Sequence, residues 1–176
     1  RSVPTIPRLL GEAGMPSFQT GKYWEGHYSN AGFTEGMSLG GRHGDAGLVI
    51  GRKTMQPIVD FIDRHGQQPF FLWYAPMLPH QPHDPPKRLL AKYAADDRDA
   101  HLARYYAMCE WFDETVGDLV GILDKRGLLS STLIVFAVDN GWIQATGGKP
   151  GEHLAFAPKS KRSPYDGGLR TPILLH

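Results

Sequence analysis

The sequence predicts an α/β protein in which a largely parallel or mixed central sheet is sandwiched between helices. Two short, continuously apolar runs, residues 69–75 and 132–138, have the composition of strands buried on both faces. Residues 54–65 and 99–125 instead carry apolar residues at helical spacing. Helices that alternate with fully apolar strands are typical of sheets covered by helices on both sides.

The first elements are predicted from apolar spacing and from glycines that stop helices. A short helix is expected over Thr5–Gly14, followed by a strand over Met15–Thr20. The segment Gly26–Gly51 is rich in glycine and lacks periodicity, which predicts an irregular loop. Long loops of this kind often carry function, so we expect this one to contribute to ligand recognition.

The second half begins with a rigid loop. Five prolines in residues 76–86 exclude a helix or a central strand there. A long helix follows over Asp99–Lys125, and its apolar stripe is Leu102, Tyr106, Cys109, Phe112, Val116, Leu119, Val120 and Leu123. The next apolar run, residues 132–138, is predicted to be a central strand covered on both faces, and residues 170–176 are typical of a further buried strand.

Composition excludes several classes of protein. With 176 residues, 41% of them hydrophobic, the chain is long enough for one globular unit with a sizeable core. A formal charge of +1 gives no broad field that would attract nucleic acid or an anionic membrane. No apolar run approaches the roughly 20 residues needed to span a bilayer. The single cysteine, Cys109, excludes an internal disulfide and is expected to be a buried packing residue.

Asp139 and Asn140 follow the apolar strand and precede Gly141. A carboxylate and an amide oxygen suit a hard cation such as calcium or magnesium better than zinc. The same three residues are also a common turn sequence, which is the alternative interpretation. Calcium takes roughly six to eight oxygen ligands, so two residues cannot form the site by themselves.

Two histidines and two lysines are further candidates. His80 and His83 lie in the proline-rich loop, where an imidazole could act as a general acid, sit exposed in solvent, or form part of a zinc site that lacks a third ligand. Lys22 follows Gly21 after a predicted strand, and Lys161 lies in a basic segment. Such lysines bind sulfate or phosphate as point charges, although most lone lysines are solvated surface residues.

Taken together, the order and spacing of these motifs resemble the sulfatase family along nearly the whole chain. Four blocks carry the resemblance, and they are residues 12–22 with the Gly-Lys pair, residues 71–82 with Pro-His-Gln-Pro, residues 105–141 with the long helix and Asp-Asn-Gly, and Lys161 with residues 165–172. The resemblance implies an alkaline phosphatase-like fold, incomplete here. Residues 1–176 would be a partial catalytic domain truncated at both ends.

The resemblance also implies a chemistry. The parent enzyme would hydrolyse sulfate esters with a formylglycine nucleophile and Ca²⁺. Asp139 and Asn140 would be calcium ligands, Lys22 and Lys161 would hold the sulfate group, and His80 would contact the sulfate or assist departure of the alcohol. The substrate would be a sulfate-ester small molecule or a sulfated glycan. A periplasmic or secreted location is implied by the family alone.

The sequence departs from the family pattern in two places. The Cys/Ser-x-Pro-x-Arg block that becomes formylglycine is not present in these residues, and neither is the Asp-Asp pair that precedes that block in the family and completes the metal site. Both are expected upstream, so this segment by itself is expected to be inactive. Trp24 stands where the family usually has a histidine two residues after the lysine, and His27 is a candidate replacement.

Two other functions stay open at this point. The same superfamily includes phosphodiesterases and phosphonate monoester hydrolases, although Asn140 in place of histidine favours calcium and sulfate. A non-catalytic module that keeps the fold is the second alternative, since the nucleophile is missing from these residues. Recognition of a sugar or aryl ring is expected in the loop Gly26–Gly51, where Tyr28 and Phe33 could stack on a ring or pack beneath the loop.

Overall fold

The computed structural model describes residues 3–94, 99–142 and 157–176. The α-helices are α1 (Ile6–Glu12), α2 (Gln56–His65), α3 (Lys87–Tyr93), α4 (Ala100–Asp124) and α5 (Asp166–Leu169). The strands are β1 (Ser17–Gly21), β2 (Glu35–Gly36), β3 (Phe71–Ala75), β4 (Val135–Ala137) and β5 (Ile173–Leu175). Short 3₁₀ segments cover Tyr28–Ala31, Arg42–Val49 and Leu129–Ser131.

The chain divides into two compact units. The first comprises Arg1–Met77 and Thr115–Ile122, and the second comprises Leu78–Glu114 and Leu123–His176. Each unit contains its own strands, and each is described separately below. In the parts of the chain that the structure describes, no helix is both long and apolar enough to cross a bilayer.

The first unit contains the predicted parallel sheet, with strand order β2-β1-β3. Both neighbours of β1 run parallel to it, and Gly21 at its end lies opposite Ala75 at the end of β3. Helix α2 supplies Ile58 and Phe61, which are fully buried, and the Phe61 ring stacks on Phe18 with centroids 5.1 Å apart. The α/β fold with a parallel sheet and helices is therefore confirmed.

Strand β1 is unusual because all five of its residues are buried although three are polar. Ser17 exchanges hydrogen bonds with Thr34, whose N–H donates to the Ser17 hydroxyl. Thr20 donates to the carbonyl of Trp73 at 2.8 Å. Since a buried polar group without a partner costs about 1–3 kcal/mol, these bonds are what allow a polar strand to lie in the core.

In the second unit, β4 and β5 form an antiparallel pair. The prediction of a central strand covered on both faces is wrong for β4, because Val135 is 59% exposed and its only strand partner among the described residues is β5. The terminal strand is also confirmed as a strand but not as a buried one, since Ile173 is 70% exposed. An apolar run in the sequence predicts a strand that can be buried on both faces. Whether it is buried depends on which other elements pack against it.

Helix α3 was not predicted from the sequence. It buries Leu89 and is joined to α4 by ion pairs, of which Arg88 and Glu114 form a two-bond pair with both N···O distances at 2.5 Å. Lys92 pairs with Glu110 through a single contact, one turn along each helix. Both pairs are largely exposed, so they orient the two helices more than they stabilise the fold.

Candidate active site

The Gly-Lys turn, residues 21–22, lies at the carboxyl end of β1 in the first unit. The Lys22 N–H donates to the carbonyl of Ala75 at 2.6 Å, which ties the turn to the end of β3. Gly21 has φ +74°, and a Cβ at this position would lie 1.9 Å from the Ala75 oxygen. Only glycine fits such a close approach with a positive φ. The turn therefore places a lysine at the carboxyl edge of a parallel sheet, where ligands of α/β proteins bind.

The buried side chain of Gln19 braces this turn from inside the first unit. Its Nε2 donates to the carbonyl of Gly21 at 3.2 Å, and its Oε1 accepts from the N–H of Ser38 at 2.9 Å. One amide thus connects the Gly-Lys turn to the glycine-rich loop, residues 26–51. Both partners are backbone groups that would otherwise need another source of hydrogen bonds in the core.

His27 is engaged within that loop. Its Nδ1 accepts from the N–H of Ser29, which makes it the cap of the 3₁₀ segment, and its ring lies 4.3 Å from that of Tyr28. Phe33 is 6% exposed and stacks on Phe71, so it packs beneath the loop. The imidazole that does approach Trp24 is that of His43, with ring centroids 4.4 Å apart. Sequence reasoning did not identify His43, because nothing local links two residues 19 positions apart.

The histidine loop, residues 76–86, opens the second unit. His80 lies between two cis X-Pro bonds, Leu78-Pro79 and Gln81-Pro82, and is half-buried. Its Nδ1 lies 2.8 Å from the carbonyl of Gln81. A carbonyl can only accept, so Nδ1 carries the hydrogen of this bond.

His83, by contrast, is a packing residue. Its side chain is only 6% exposed, and its ring lies 5.8 Å from that of Tyr105 on α4. Its backbone carbonyl accepts from the guanidinium of Arg104 at 3.2 Å. The loop is therefore fixed to α4 through His83, whereas His80 is less buried.

The Asp-Asn-Gly turn, residues 139–141, follows β4 in the second unit. Asp139 is exposed and Asn140 is half-buried. The Gly141 N–H donates to the carbonyl of Gly168 at 3.0 Å, and a Cβ on Gly141 would lie 1.9 Å from the oxygen of Gly167. Glycine is thus required where this turn meets the Tyr-Asp-Gly-Gly segment, two blocks that the sequence analysis had treated as parts of one site.

Lys161 meets the same turn. Its N–H donates to the carbonyl of Trp142 at 3.1 Å, directly after the turn. The indole of Trp142 stacks on the ring of Tyr105, with centroids 3.9 Å apart and planes within 6°, and it lies 6.5 Å from the ring of His83. In the second unit, the histidine loop, the Asp-Asn-Gly turn and Lys161 are therefore joined by one chain of contacts.

Tyr105 and its neighbour Cys109 both have pKa values above their ordinary values. Burial raises the pKa of the Tyr105 hydroxyl, with a smaller contribution from Cys109. Burial also raises the pKa of the Cys109 thiol, which a hydrogen bond with Tyr105 only partly opposes. A neutral thiol is a poor nucleophile. Cys109 is half-buried and unpaired in any disulfide, and it fits the packing role expected for it.

The donor chemistry of residues 139–140 fits a hard cation, because a carboxylate and an amide oxygen are ligands that calcium prefers. The ligand number does not suffice. Within residues 3–94, 99–142 and 157–176, no group of three or more His, Cys, Asp or Glu side chains is arranged to hold a metal. These residues therefore fit calcium as part of a larger ligand set.

Three of the predicted site elements thus meet in the second unit, and the fourth, Lys22, belongs to the first unit. Sequence reasoning missed the residues that join the elements, Tyr105 and Trp142. The position of Trp142 directly after Asp-Asn-Gly could have marked it as a candidate, but its stacking partner Tyr105 lies 37 positions away in the chain.

The parallel sheet flanked by helices defines an α/β protein with an alkaline phosphatase-like fold, of which the chain covers a part. A family model described as Sulfatase matches residues 1–176, so the chain belongs to the sulfatase family.

Curated relatives and solved structures agree with this assignment. The chain is 27% identical over 144 residues to an N-acetylgalactosamine-6-sulfatase of Rattus norvegicus, covering 81% of this chain and 26% of that protein. It resembles the crystal structure of Ps i-CgsB in complex with k-i-k-neocarrahexaose with a TM-score of 0.69 and 24% identity, over 97% of this chain and 46% of that one.

A second similar structure is that of BT4656 in complex with its substrate D-glucosamine-2-N,6-O-disulfate. Its TM-score is 0.71 with 18% identity, over 99% of this chain and 55% of that one. The likeness to both structures shows the fold alone. The chain spans about a quarter of the curated relative and about half of the two structures.

Proposed function

We propose that the full-length protein is a calcium-dependent sulfatase that hydrolyses a sulfate ester to an alcohol and sulfate. Residues 1–176 form part of its catalytic domain, and the formylglycine nucleophile lies outside them. Membership of the sulfatase family supports the reaction class. Relatives named for N-acetylgalactosamine 6-sulfate and for a disulfated glucosamine support a sulfated sugar as substrate.

One observation carries the assignment of residues. In the second unit, the backbone N–H of Lys161 donates to the carbonyl of Trp142, and the Trp142 ring stacks on Tyr105 beside the histidine loop. Two cationic or proton-bearing groups and two oxygen ligands thereby share one small region of a single unit.

His80 is proposed to protonate the departing alcohol. Because its Nδ1–H is held by the carbonyl of Gln81, the proton available for transfer is the one on Nε2. The same bond fixes the ring plane, so the imidazole needs little reorganisation during the reaction. The conjugate base left on Nε2 can then accept a proton from water to restore the starting state.

Lys22 and Lys161 are proposed to neutralise the sulfate oxygens. Positive groups aimed at a developing oxyanion typically change a rate by 10²–10³ when removed. Asp139 and Asn140 would be two of the ligands of calcium, which would supply further charge stabilisation at the sulfate oxygens.

The first test uses alanine variants of the full-length protein and a sulfate ester substrate with added calcium. His80→Ala is expected to lower kcat by about 100-fold, and Lys161→Ala to lower kcat/KM by about 100-fold. The matched control is Lys159→Ala, two residues away, whose exposed amine lies 5.0 Å from the Tyr165 ring and has no proposed role. Equal losses for both lysines would contradict the assignment of Lys161.

The second test separates the sulfatase from its alternatives. A phosphate diester and a phosphonate monoester are assayed beside the sulfate ester under the same conditions. The proposal expects the highest kcat/KM on the sulfate ester and loss of that activity with a calcium chelator, restored by calcium. Preference for the phosphorus substrates would indicate the phosphodiesterase alternative, and no turnover of any would indicate a non-catalytic module.

A further inference from the structure

Trp24 is an exposed indole held in a defined position beside the Gly-Lys turn. Its side chain is 65% exposed, more than that of any other tryptophan in the chain. The residue before it, Tyr23, is 7% exposed, and its ring packs edge-on against Phe33 at 6.0 Å. The backbone is therefore anchored in the core immediately before it presents a large apolar ring to solvent.

The underside of Trp24 is occupied by His43, whose ring meets the indole edge-on at 69°. The carbonyl of His43 accepts from the N–H of Tyr23 at 2.9 Å, so the two rings are coupled through the backbone as well. An aromatic ring fixed in this way loses little freedom when a ligand stacks on it, which favours binding.

The backbone that presents His43 is strained. His43, Gly44 and Asp45 have φ of 60°, 106° and 35°, three consecutive residues with positive φ. Such conformations persist only where the surroundings impose them, and they cluster at ligand sites. Here the surroundings are visible, since a Cβ on Gly44 would lie 2.2 Å from the Gly21 oxygen.

The carboxylate of Asp45 completes the brace. Its two oxygens accept from the N–H groups of Leu39, Gly41 and Ala46. The backbone bonds from Ala46 and Gly41 lower the pKa of Asp45, and burial opposes them only in part. These three bonds to one carboxylate hold the exposed loop in a defined conformation.

We infer that Trp24 is a stacking platform for the sugar ring that carries the sulfate ester. This deepens the proposed function and rests on it for the identity of the anion. Trp24 lies two residues beyond Lys22, so the two Cα atoms are no more than roughly 7 Å apart. A flat apolar face beside an anion-binding lysine fits a pyranose with one charged substituent.

The platform replaces the ring-binding candidates named from the sequence. Phe33 is buried, and the ring of Tyr28 lies against that of His27 with centroids 4.3 Å apart and planes tilted by 33°. Trp24 is therefore the more exposed of the two tryptophans in the first unit, the other being Trp73, which is 44% exposed and whose indole N–H donates to the carbonyl of Lys22 at 3.4 Å. Trp24 also occupies the position where the family resemblance leads one to expect a histidine. In the proposed role, an aromatic face that contacts a sugar ring replaces the polar imidazole.

The test compares two variants with a matched control in the full-length protein. Trp24→Ala is expected to raise KM for glucosamine 6-sulfate about tenfold with kcat within about twofold, and Trp24→Phe to retain most of the affinity. KM for an acyclic alkyl sulfate is expected to stay unchanged in both. Leu39→Ala is the control, because Leu39 lies in the same loop and is 68% exposed but has no ring.

A second readout does not depend on catalysis. The indole N–H resonance of Trp24, assigned by its loss in Trp24→Phe, is followed by NMR while glucosamine 6-sulfate or glucosamine is added. A shift that saturates with the sugar supports the platform even if no ester is hydrolysed, in which case the proposed function alone fails. Hydrolysis with no shift, or with equal KM changes for the sugar and alkyl sulfates, would overturn the platform and leave the proposed function standing.

Discussion

The Gly-Lys turn in the first unit and the Asp-Asn-Gly turn in the second are fixed by different kinds of contact. The Gly-Lys turn ends a strand whose five residues are all buried, and strand pairing and Gln19 hold it from within. The Asp-Asn-Gly turn follows a three-residue strand with one exposed face and depends on a glycine contact and the Trp142 stack. Sheet geometry thus positions one turn, and side-chain packing positions the other.

The largest effect is expected at Gly21. Gly21→Ala places a Cβ 1.9 Å from the Ala75 oxygen at a φ of +74°, so strand β1 must move away from β3. We expect the free energy of unfolding to fall by about 4 kcal/mol, near the upper end for single substitutions. Urea unfolding of the full-length protein measures this change.

Gly14 provides the matched control for that prediction. Its φ is +77°, almost the same as that of Gly21, but a Cβ there would have no atom within 4 Å. Gly14→Ala should therefore cost only the left-handed conformation, about 1–2 kcal/mol. Equal losses at both positions would mean that backbone conformation, and not the contact with β3, fixes the Gly-Lys turn.

The next effect is expected at Gln19, which is fully buried. Gln19→Leu keeps a similar volume but leaves the N–H of Ser38 and the carbonyl of Gly21 without their side-chain partner, which should cost about 2–3 kcal/mol. Gln56→Leu, at an exposed glutamine that bonds Asp60, is expected to stay within about 0.5 kcal/mol of the wild type. Thermal unfolding of the two variants and the wild type measures these stability differences. A small loss of stability for Gln19→Leu would show that the loop relaxes so that the Ser38 N–H and the Gly21 carbonyl find other partners.

The sequence predicted those features that depend on local pattern. Strand β1, helix α2, strand β3 and helix α4 lie within a few residues of their predicted ranges, because apolar period and glycine stops are properties of neighbouring residues. The burial of β1 did not follow from its pattern. Ser17, Gln19 and Thr20 look like surface residues until their distant hydrogen-bond partners are known.

The inner face of α4 shows the same limit. The predicted stripe included Leu123, which is buried, and Tyr106, which is 40% exposed, whereas other buried residues of α4 lie outside the stripe, namely His101, Ala103, Ala107, Met108 and Thr115. Small residues mark a helix face where the neighbouring backbone comes close, and apolar size alone does not report this. The short helix α3 was missed for a related reason, since a single buried leucine gives too little periodicity to recognise.

For the candidate site, the sequence supplied the reactive groups but not their supports. Lys161 and the Asp-Asn-Gly turn were named from the chain, and the backbone bond that joins them through Trp142 required the structure. His43 is the clearest omission, because its contact with Trp24 arises from a loop of glycines whose path no local pattern specifies.

In the second unit, Tyr105 tests whether the stack with Trp142 positions the Asp-Asn-Gly turn. Tyr105→Ala removes the surface on which Trp142 stacks, and we expect the free energy of unfolding to fall by about 2 kcal/mol. The Asp-Asn-Gly turn should lose its position as well, so kcat on a sulfate ester should fall more than that stability change explains. Tyr105→Phe keeps the stack and should retain most activity, measured at a temperature well below unfolding.

Tyr106→Ala is the control for this variant, at the adjacent residue on the exposed side of α4. It should lower stability by less than about 1 kcal/mol and leave kcat unchanged. Similar losses of activity at both tyrosines would argue that α4 as a whole, and not the Tyr105–Trp142 stack, supports the turn.

The smallest effect is expected at Glu35 in the first unit, where β2 meets α2. Burial raises the pKa of Glu35, but hydrogen bonds from His65 and Arg64 outweigh it, so the pKa lies below its ordinary value. A carboxylate with a lowered pKa stabilises the fold above its ordinary pKa, about 4.3, and that contribution is lost as pH falls through the lowered folded value. Glu35→Gln should therefore cost less than about 1 kcal/mol at pH 7, since the pair is partly exposed, and the gap to wild type should close in acid. Urea unfolding at pH 7 and near pH 3 measures both, and a gap that persists at the lower pH would mean that packing, and not charge, accounts for the difference.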